Sequence, residues 1–240
     1  MLLHRSFAVA DGVYFYLWVG SSLDCNSVVL ANVLDGPKPH ILVDPGMAAM
    51  GMGEDPLASL AEAMEQDGFR MEDVGLVVGT HSHPDHFQAV DSVVARTGAA
   101  VALSSAEHKF LRGIGGAMYG SFGTRVPKAE PSVLLEEGKL SLDGLSEDID
   151  VIIAPGHSPG CACLYLRDSK VLVSGDVVFP GSIGRMDLPG GSVSQMRESI
   201  ERLSKLDVEY ILSGHSGMAA PIVSGKDNVV RNFQMVRMFF

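Results

Sequence analysis

The sequence has little of what would mark a secreted, membrane-embedded or thiolate-dependent protein. It contains three cysteines in 240 residues and no Cys-x-x-Cys pair, so we expect neither a disulfide framework nor a cysteine-based zinc site. No apolar run approaches the roughly 20 residues that span a bilayer, and the N-terminus lacks the apolar core of a signal peptide. We therefore expect a cytoplasmic protein that does not associate with a membrane.

Basic residues are also scarce. Lys and Arg number 18 against 29 Asp and Glu, which gives a net charge of −11 with no block of positive charge. This balance argues against nucleic acid as a partner but does not identify a substrate. With 46% hydrophobic residues, we expect one domain over residues 1–240. The apolar content is compatible with a homodimer.

The most informative stretch is the hexapeptide 81–86, His-Ser-His-Pro-Asp-His. It follows an apolar run, residues 74–79, which predicts a strand buried on both faces. A polar turn in which Asp85 caps the next helix would explain one of these side chains but not the three histidines. Imidazole and carboxylate groups together suit zinc or non-haem iron. The hexapeptide therefore predicts a metal site.

The second half of the chain repeats one pattern three times. A short apolar strand is followed by a glycine and then by one candidate ligand, with the strands at 151–154, 171–174 and 210–213. Because ligand sites in α/β sheets form where strands end, we expect the candidates to converge. With the hexapeptide they make a set of seven: His81, His83, Asp85, His86, His157, Asp176 and His215. Seven ligands are too many for one tetrahedral zinc and suit two ions about 3.5–4 Å apart.

Helices and strands alternate through most of the chain, which predicts an α/β layer arrangement. An Asp11-Gly12 turn predicts an early hairpin. Asp55 is the predicted N-cap of a helix, and Ser104 with Glu107 and Ser192 with Gln195 predict capping boxes. The remaining predictions are β-structure over 7–43, helices over about 55–68, 87–97, 192–205 and 226–238, and a strand at 100–103.

Two glycine-rich segments are candidates for pocket walls. Residues 47–53 predict a flexible loop that either borders a pocket or lies in solvent. Residues 113–131 predict a lid or linker, in which Tyr119 either contacts substrate or packs in the interior.

The ligand motifs identify a family by resemblance. Residues 80–86 resemble the HxHxDH signature of the metallo-β-lactamase-fold superfamily, and the glycine-ligand pairs at 156–157, 175–176 and 214–215 resemble its later motifs. The resemblance covers nearly the whole chain and implies a four-layered αβ/βα sandwich with the metals at one edge of the two sheets. It implies a first metal bound by His81, His83 and His157, and a second bound by Asp85, His86 and His215. Asp176 would bridge them, and Asp85 would also move protons.

The branch of the superfamily follows from residues 179–191, which are similar to a segment of glyoxalase II and of persulfide dioxygenases. The resemblance to glyoxalase II implies two Zn²⁺ ions and attack of metal-bound hydroxide on a small thioester or ester. The alternative is a persulfide dioxygenase with one Fe²⁺ held by His81, His157 and Asp176. Arg185 either contacts substrate or braces the loop through Asp187. Residues 216–240 are too few for the extra glutathione-binding region of the usual glyoxalase II.

Other functions also stay open. Lactonase, phosphodiesterase and β-lactamase activities are compatible with the same fold, because a fold does not fix a substrate. A metal-stabilised module without catalytic activity is a further alternative, against which the complete ligand set argues.

Overall fold

Two β-sheets form the centre of the computed structural model, which describes residues 2–48, 53–216 and 220–240. The first sheet has seven strands in chain order. They are antiparallel from β1 to β4 and parallel from β4 to β7. Its strands are β1 (His4–Ala10), β2 (Val13–Trp18), β3 (Ser27–Leu30), β4 (His40–Val43), β5 (Val74–Val78), β6 (Ala100–Ser104) and β7 (Val133–Leu135).

The second sheet has six strands in the order β15-β14-β11-β10-β9-β8. A separate two-stranded hairpin, β12 with β13, follows β11 in the chain. The strands are β8 (Gly138–Lys139), β9 (Ile149–Ile153), β10 (Ala162–Leu166), β11 (Val171–Gly175), β12 (Val178–Phe179), β13 (Ser182–Ile183), β14 (Tyr210–Ser213) and β15 (Val223–Ser224).

The central strands are apolar on both faces, and this builds the layers. Successive side chains of a strand point to opposite faces. Ile41 and Val43 of β4 therefore enter the core between the sheets, where Leu164 and Val173 of the second sheet also lie. Leu42, between them in the chain, packs against helices on the outer face. Each sheet is consequently covered on both sides.

Helices form the two outer layers. The outer face of the first sheet packs against α1 (Pro56–Gln66), α2 (Pro84–Phe87), α3 (Val90–Thr97), α4 (Ser105–Leu111) and α5 (Ala117–Ser121). The second sheet is covered by α6 (Val193–Leu203) and α7 (Lys226–Val236). Short 3-10 turns occupy Met71–Asp73, Ile114–Gly116 and Arg237–Phe239. This confirms the predicted four-layered αβ/βα sandwich. Among the described residues, no helix combines the length and apolarity needed to cross a membrane.

Most predicted turns and caps form as expected. Gly12 turns the first hairpin at a φ of +67°, a conformation that favours glycine. Asp55 accepts a hydrogen bond from the Ala58 amide, 2.9 Å away, and so caps α1. Ser104 likewise accepts from the Glu107 amide at 3.2 Å. The Glu107 carboxylate, however, accepts its hydrogen bonds from Ser82, Ser158 and Gly160 rather than from the Ser104 amide. The capping-box prediction is therefore only half right.

The predicted helix over 87–97 begins earlier and is broken. Helix α2 already contains the end of the hexapeptide, and α3 starts only at Val90. Between them the Ala89 amide donates to the Gly46 carbonyl at 2.8 Å, instead of to a carbonyl one turn back in its own helix. This tertiary hydrogen bond interrupts the helix.

The two glycine-rich segments differ in outcome. Residues 49–52 of the predicted loop lie outside the described residues. Residues 113–131 contain the 3-10 turn Ile114–Gly116 and helix α5, so this segment is folded over part of its length.

We expect Gly156→Ala to destabilise the protein, because Gly156 has a φ of +147° and a Cβ there would lie 2.5 Å from the Met196 amide nitrogen. Overpacking of this kind costs about 1–3 kcal/mol of unfolding free energy, measurable by urea unfolding. Gly120→Ala is the matched control, since nothing lies within 4 Å of its Cβ position in α5. We expect the control to be neutral or stabilising by up to about 1 kcal/mol. Equal effects at both sites would show that crowding at Gly156 does not limit stability.

Candidate metal centre

The seven predicted ligands lie together at the carboxyl ends of four strands. The hexapeptide 81–86 follows β5, and the other three ligands each follow a strand of the second sheet. Those three are His157 after β9, Asp176 directly after β11 and His215 after β14. Their side chains form three overlapping groups, within each of which the ligand atoms lie no more than 4.8 Å apart. The site therefore spans the edge where the two sheets meet.

The first group is made entirely of imidazoles. His83 Nδ1 and His157 Nε2 are 2.8 Å apart. The ring of His81 lies 4.6 Å from that of His83 and 4.9 Å from that of His157, between centroids. All three side chains are buried. Three nitrogen donors thus face one small volume.

The second group combines imidazole with carboxylate. His215 Nε2 lies 3.2 Å from Asp85 Oδ2 and 3.3 Å from His86 Nε2. Asp176 forms the third group with His81 and His86. It stands between the other two groups, because its Oδ1 is 3.2 Å from His86 Nε2 and its Oδ2 is 3.4 Å from His157 Nε2. This is the placement that a bridging ligand would need.

The donor set fits metal ions. His81 Nε2 and Asp176 Oδ1 are buried and make no hydrogen bond among the described residues. An unpartnered buried polar atom costs about 1–3 kcal/mol, so two at one place point to a cation as the missing partner. Imidazole and carboxylate donors suit zinc and non-haem iron alike.

The pKa values also distinguish the imidazoles of the first group from the side of the site that contains the carboxylates. Burial lowers the pKa of His81 far below its usual value and that of His83 to about 3, so both rings are neutral donors. Burial opposes charge on His86 too, but Asp176 raises its pKa well above the usual value. Burial likewise opposes charge on Asp176, yet His215 and His86 hold the pKa of that carboxyl well below its usual range. The carboxylate side of the site therefore attracts positive charge.

Asp44, which the sequence motifs did not single out, orients one of the ligands. This buried carboxylate accepts hydrogen bonds from the Thr80 amide and hydroxyl, at 2.7 and 2.6 Å. It also lies 2.9 Å from His86 Nδ1, so that Nδ1 donates and Nε2 faces Asp176. Carboxylates in this position fix the ring orientation of metal-binding histidines. The available signal was a carboxylate immediately after β4, the strand beside β5.

Arg185 contributes its backbone as well as its side chain. Its carbonyl oxygen accepts a hydrogen bond from His157 Nδ1 at 2.7 Å, which leaves the Nε2 lone pair facing the first group. Its guanidinium forms the expected pair with Asp187, at 2.8 and 2.7 Å, in an exposed position. The same residue also lines the pocket above the ligands.

That pocket has a volume of about 390 Å³. Metal-ligand candidates form its floor: His83, Asp85, His157, Asp176 and His215. Apart from Arg185, its walls are apolar: Leu23, Met118, Phe122, Phe179, Ile183 and Leu188. The ligands therefore open into a largely apolar cavity.

Tyr119 does not line this pocket. It is buried, and its hydroxyl donates to the Ser82 carbonyl at 3.0 Å. Met118, its neighbour in α5, and Phe122, which follows that helix, face the cavity instead. The predicted segment therefore does contribute to a pocket wall, and of the two alternatives for Tyr119 the structure shows interior packing rather than a position in the cavity.

A larger groove, of about 620 Å³, lies at the outer edge of the second sheet. It contains no member of the ligand set, and its charged side chains largely pair with one another, as in Arg167 with Asp150 and Arg202 with Glu137. The smaller cavity over the ligands is the candidate for chemistry.

Comparison with known proteins agrees with this geometry. The sequence model of the metallo-beta-lactamase superfamily matches residues 22–215. Human acyl-coenzyme A thioesterase MBLAC2 is 30% identical over 201 residues, which are 75% of this chain and 70% of that protein.

Solved structures show the same fold. TTHA1623, solved in a di-iron-bound form, is 28% identical with a TM-score of 0.67, over 88% of this chain and 95% of that chain. The metallo-beta-lactamase family protein TTHA1429 from Thermus thermophilus superposes with a TM-score of 0.75 at 21% identity, over 97% of this chain and 80% of that chain. With its fold, its ligand motifs and this match over most of its length, the chain belongs to the metallo-beta-lactamase superfamily.

Proposed function

We propose that this protein is a hydrolase that uses two zinc ions to cleave a thioester with an apolar acyl group. The observation that carries the proposal is the position of Asp176. Its two oxygens face ligands of different groups, at 3.2 Å from His86 and 3.4 Å from His157, on the floor of an apolar cavity. Two-metal hydrolases use a bridging arrangement of this kind.

Two ions fit the ligand set better than one. A single ion on His81, His157 and Asp176 would leave Asp85 and His215 grouped without a function. The di-iron-bound form of TTHA1623 supports a two-metal site in this fold. Zinc is the proposed metal because it combines imidazole and carboxylate ligands with hydrolysis at neutral pH.

When bound, such ions lower the pKa of water and polarise a carbonyl oxygen. The chain supplies orientation and a proton carrier. Asp44 and the Arg185 carbonyl fix the rings of His86 and His157 through their Nδ1 atoms. Asp85 opens into the cavity. Burial opposes its charge, but His215 and His86 lower the pKa of its carboxyl, so that it is ionised and able to accept a proton. In hydrolysis that proton comes from the attacking water and goes to the departing thiolate as the C–S bond breaks.

The cavity walls favour an apolar acyl group. Among the described lining residues Arg185 is the one Lys or Arg, and it is already paired with Asp187. Glutathione carries two carboxylates, for which these walls offer no free cation. The thioester bond expected from the resemblance to glyoxalase II therefore stays in the proposal, whereas glutathione does not. The likeness to a protein named acyl-coenzyme A thioesterase supports the same bond type.

We expect protein purified without added metal to contain about two zinc ions per chain by elemental analysis. Asp176→Ala removes the carboxylate shared by both groups, so it should lower the metal content and reduce thioester hydrolysis on the order of 100-fold or more. Asp227→Ala, at an exposed position in α7, is the matched control and should change neither. About one iron per chain, with oxygen uptake on glutathione persulfide, would instead identify a persulfide dioxygenase.

We also expect kcat/KM to rise with acyl-chain length. A series of acetyl, butanoyl, hexanoyl and octanoyl thioesters of one thiol should gain about fourfold per methylene until the cavity is filled, since each buried methylene contributes about 0.8 kcal/mol. Phe122→Ala removes part of the apolar wall and should reduce this gain. Ile114→Ala, which is 67% exposed and outside the cavity, should not. A flat series, or a preference for lactoylglutathione, would contradict the proposed acyl specificity.

A further inference from the structure

Glu107 is a carboxylate buried completely within the protein, and the site described above does not use it. It lies in α4, its exposure is 0%, and it is neither a metal-ligand candidate nor a lining residue of the cavity. A buried carboxylate without a cation beside it is costly unless several donors satisfy it. The groups that donate hydrogen bonds to Glu107 therefore indicate its role.

Each oxygen of this carboxylate accepts one backbone amide and one hydroxyl. Oε2 accepts from the Ser82 amide at 2.9 Å and from the Ser82 hydroxyl at 2.7 Å. Oε1 accepts from the Gly160 amide at 2.8 Å and from the Ser158 hydroxyl. Four donors match the capacity of an ionised carboxylate. Two of them are backbone groups that cannot turn away.

The two segments held in this way carry all of the first ligand group. Ser82 lies between His81 and His83, and Ser158 directly follows His157. The first segment follows a strand of one sheet and the second follows a strand of the other. Glu107 thus joins the two sheets next to the three imidazoles that face each other.

Both segments are also held from their other sides. The Tyr119 hydroxyl donates to the Ser82 carbonyl at 3.0 Å, and the Ser104 hydroxyl donates to the Gly160 carbonyl at 2.7 Å. The peptide groups that Glu107 contacts therefore have little freedom to adjust. A change in this carboxylate must be transmitted to the neighbouring histidines.

We propose that Glu107 is a positioning residue for the first ligand group. By holding Ser82 and Ser158 on one carboxylate, it sets the distance from His81 and His83 to His157. It thereby sets the affinity of this group for its ion. The second group, with Asp85, His86 and His215, has no hydrogen bond to Glu107 among the described residues. A merely structural role would weaken both groups together, whereas a positioning role weakens one.

The test is Glu107→Gln, which keeps the shape of the side chain. It replaces one acceptor oxygen by an NH2 group, which cannot accept a hydrogen bond from a backbone N–H. Metal-free protein is titrated with Co²⁺ and followed by visible absorption, in two backgrounds. His215→Ala keeps the first ligand group intact, and His83→Ala keeps the second. We expect a 10–100-fold loss of Co²⁺ affinity in the His215→Ala background, about the effect of removing an outer-shell partner. In the His83→Ala background we expect a change of less than about twofold.

The matched control is Asp91→Asn, which makes the same carboxylate-to-amide change. Asp91 accepts hydrogen bonds from the Lys128 and Ala129 amides and has none to a member of the ligand set among the described residues. It should alter Co²⁺ affinity in neither background. If Glu107→Gln does not fold, Ser158→Ala removes one of the four donors and should give a smaller loss, again confined to the His215→Ala background. Equal losses in both backgrounds, or no loss in either, would overturn the proposal. Because the readout is Co²⁺ binding, its failure is distinct from a failure of the proposed thioesterase activity.

Discussion

The structure depends on negative charge buried where the two sheets meet. Asp176 and Asp44 lie almost wholly inside the protein among histidines, and no Lys or Arg side chain in the described residues forms an ion pair with either of them. Burial opposes such charges unless a cation accompanies them. Protons on His86 and His215 supply part of that positive charge, because Asp176 raises the pKa of both rings against the opposing effect of burial. A bound metal ion would supply the same positive charge without protonating the rings that would act as its ligands.

Much of the fold could be predicted because its determinants are local. Short apolar runs mark the buried strands, and the caps at Asp55 and Ser192 begin their helices in the structure. The prediction fails where a distant group competes with a local one. Ala89 donates to Gly46 rather than within its own helix, and the Glu107 carboxylate binds Ser158 and Gly160 rather than its own cap. Sequence spacing does not reveal such partners.

The candidate site shows the same division. The ligands could be predicted because each lies in the segment that follows a strand, and such segments converge at the edge of an α/β sheet. Asp44 had a similar position, but its role depends on β4 being the neighbour of β5, which the sequence does not state. For Tyr119 the local helix phase decided the outcome. In the single turn of α5 a shift of one residue exchanges the buried side for the cavity side, so that Met118 lines the pocket and Tyr119 holds Ser82.

Two outer carboxylates support the centre from different sides. Glu107 holds the segments that carry the first group and has no hydrogen bond to the second group among the described residues. Asp44 orients His86 of the second group and also reaches the first, because the Thr80 hydroxyl that donates to it lies 3.1 Å from His81 Nδ1. Asp176 is then the side chain through which the two groups interact most directly, because it lies within 3.5 Å of nitrogens from both. Because groups that share a side chain are coupled, Asp176 is the residue that makes the two ligand groups a single candidate site.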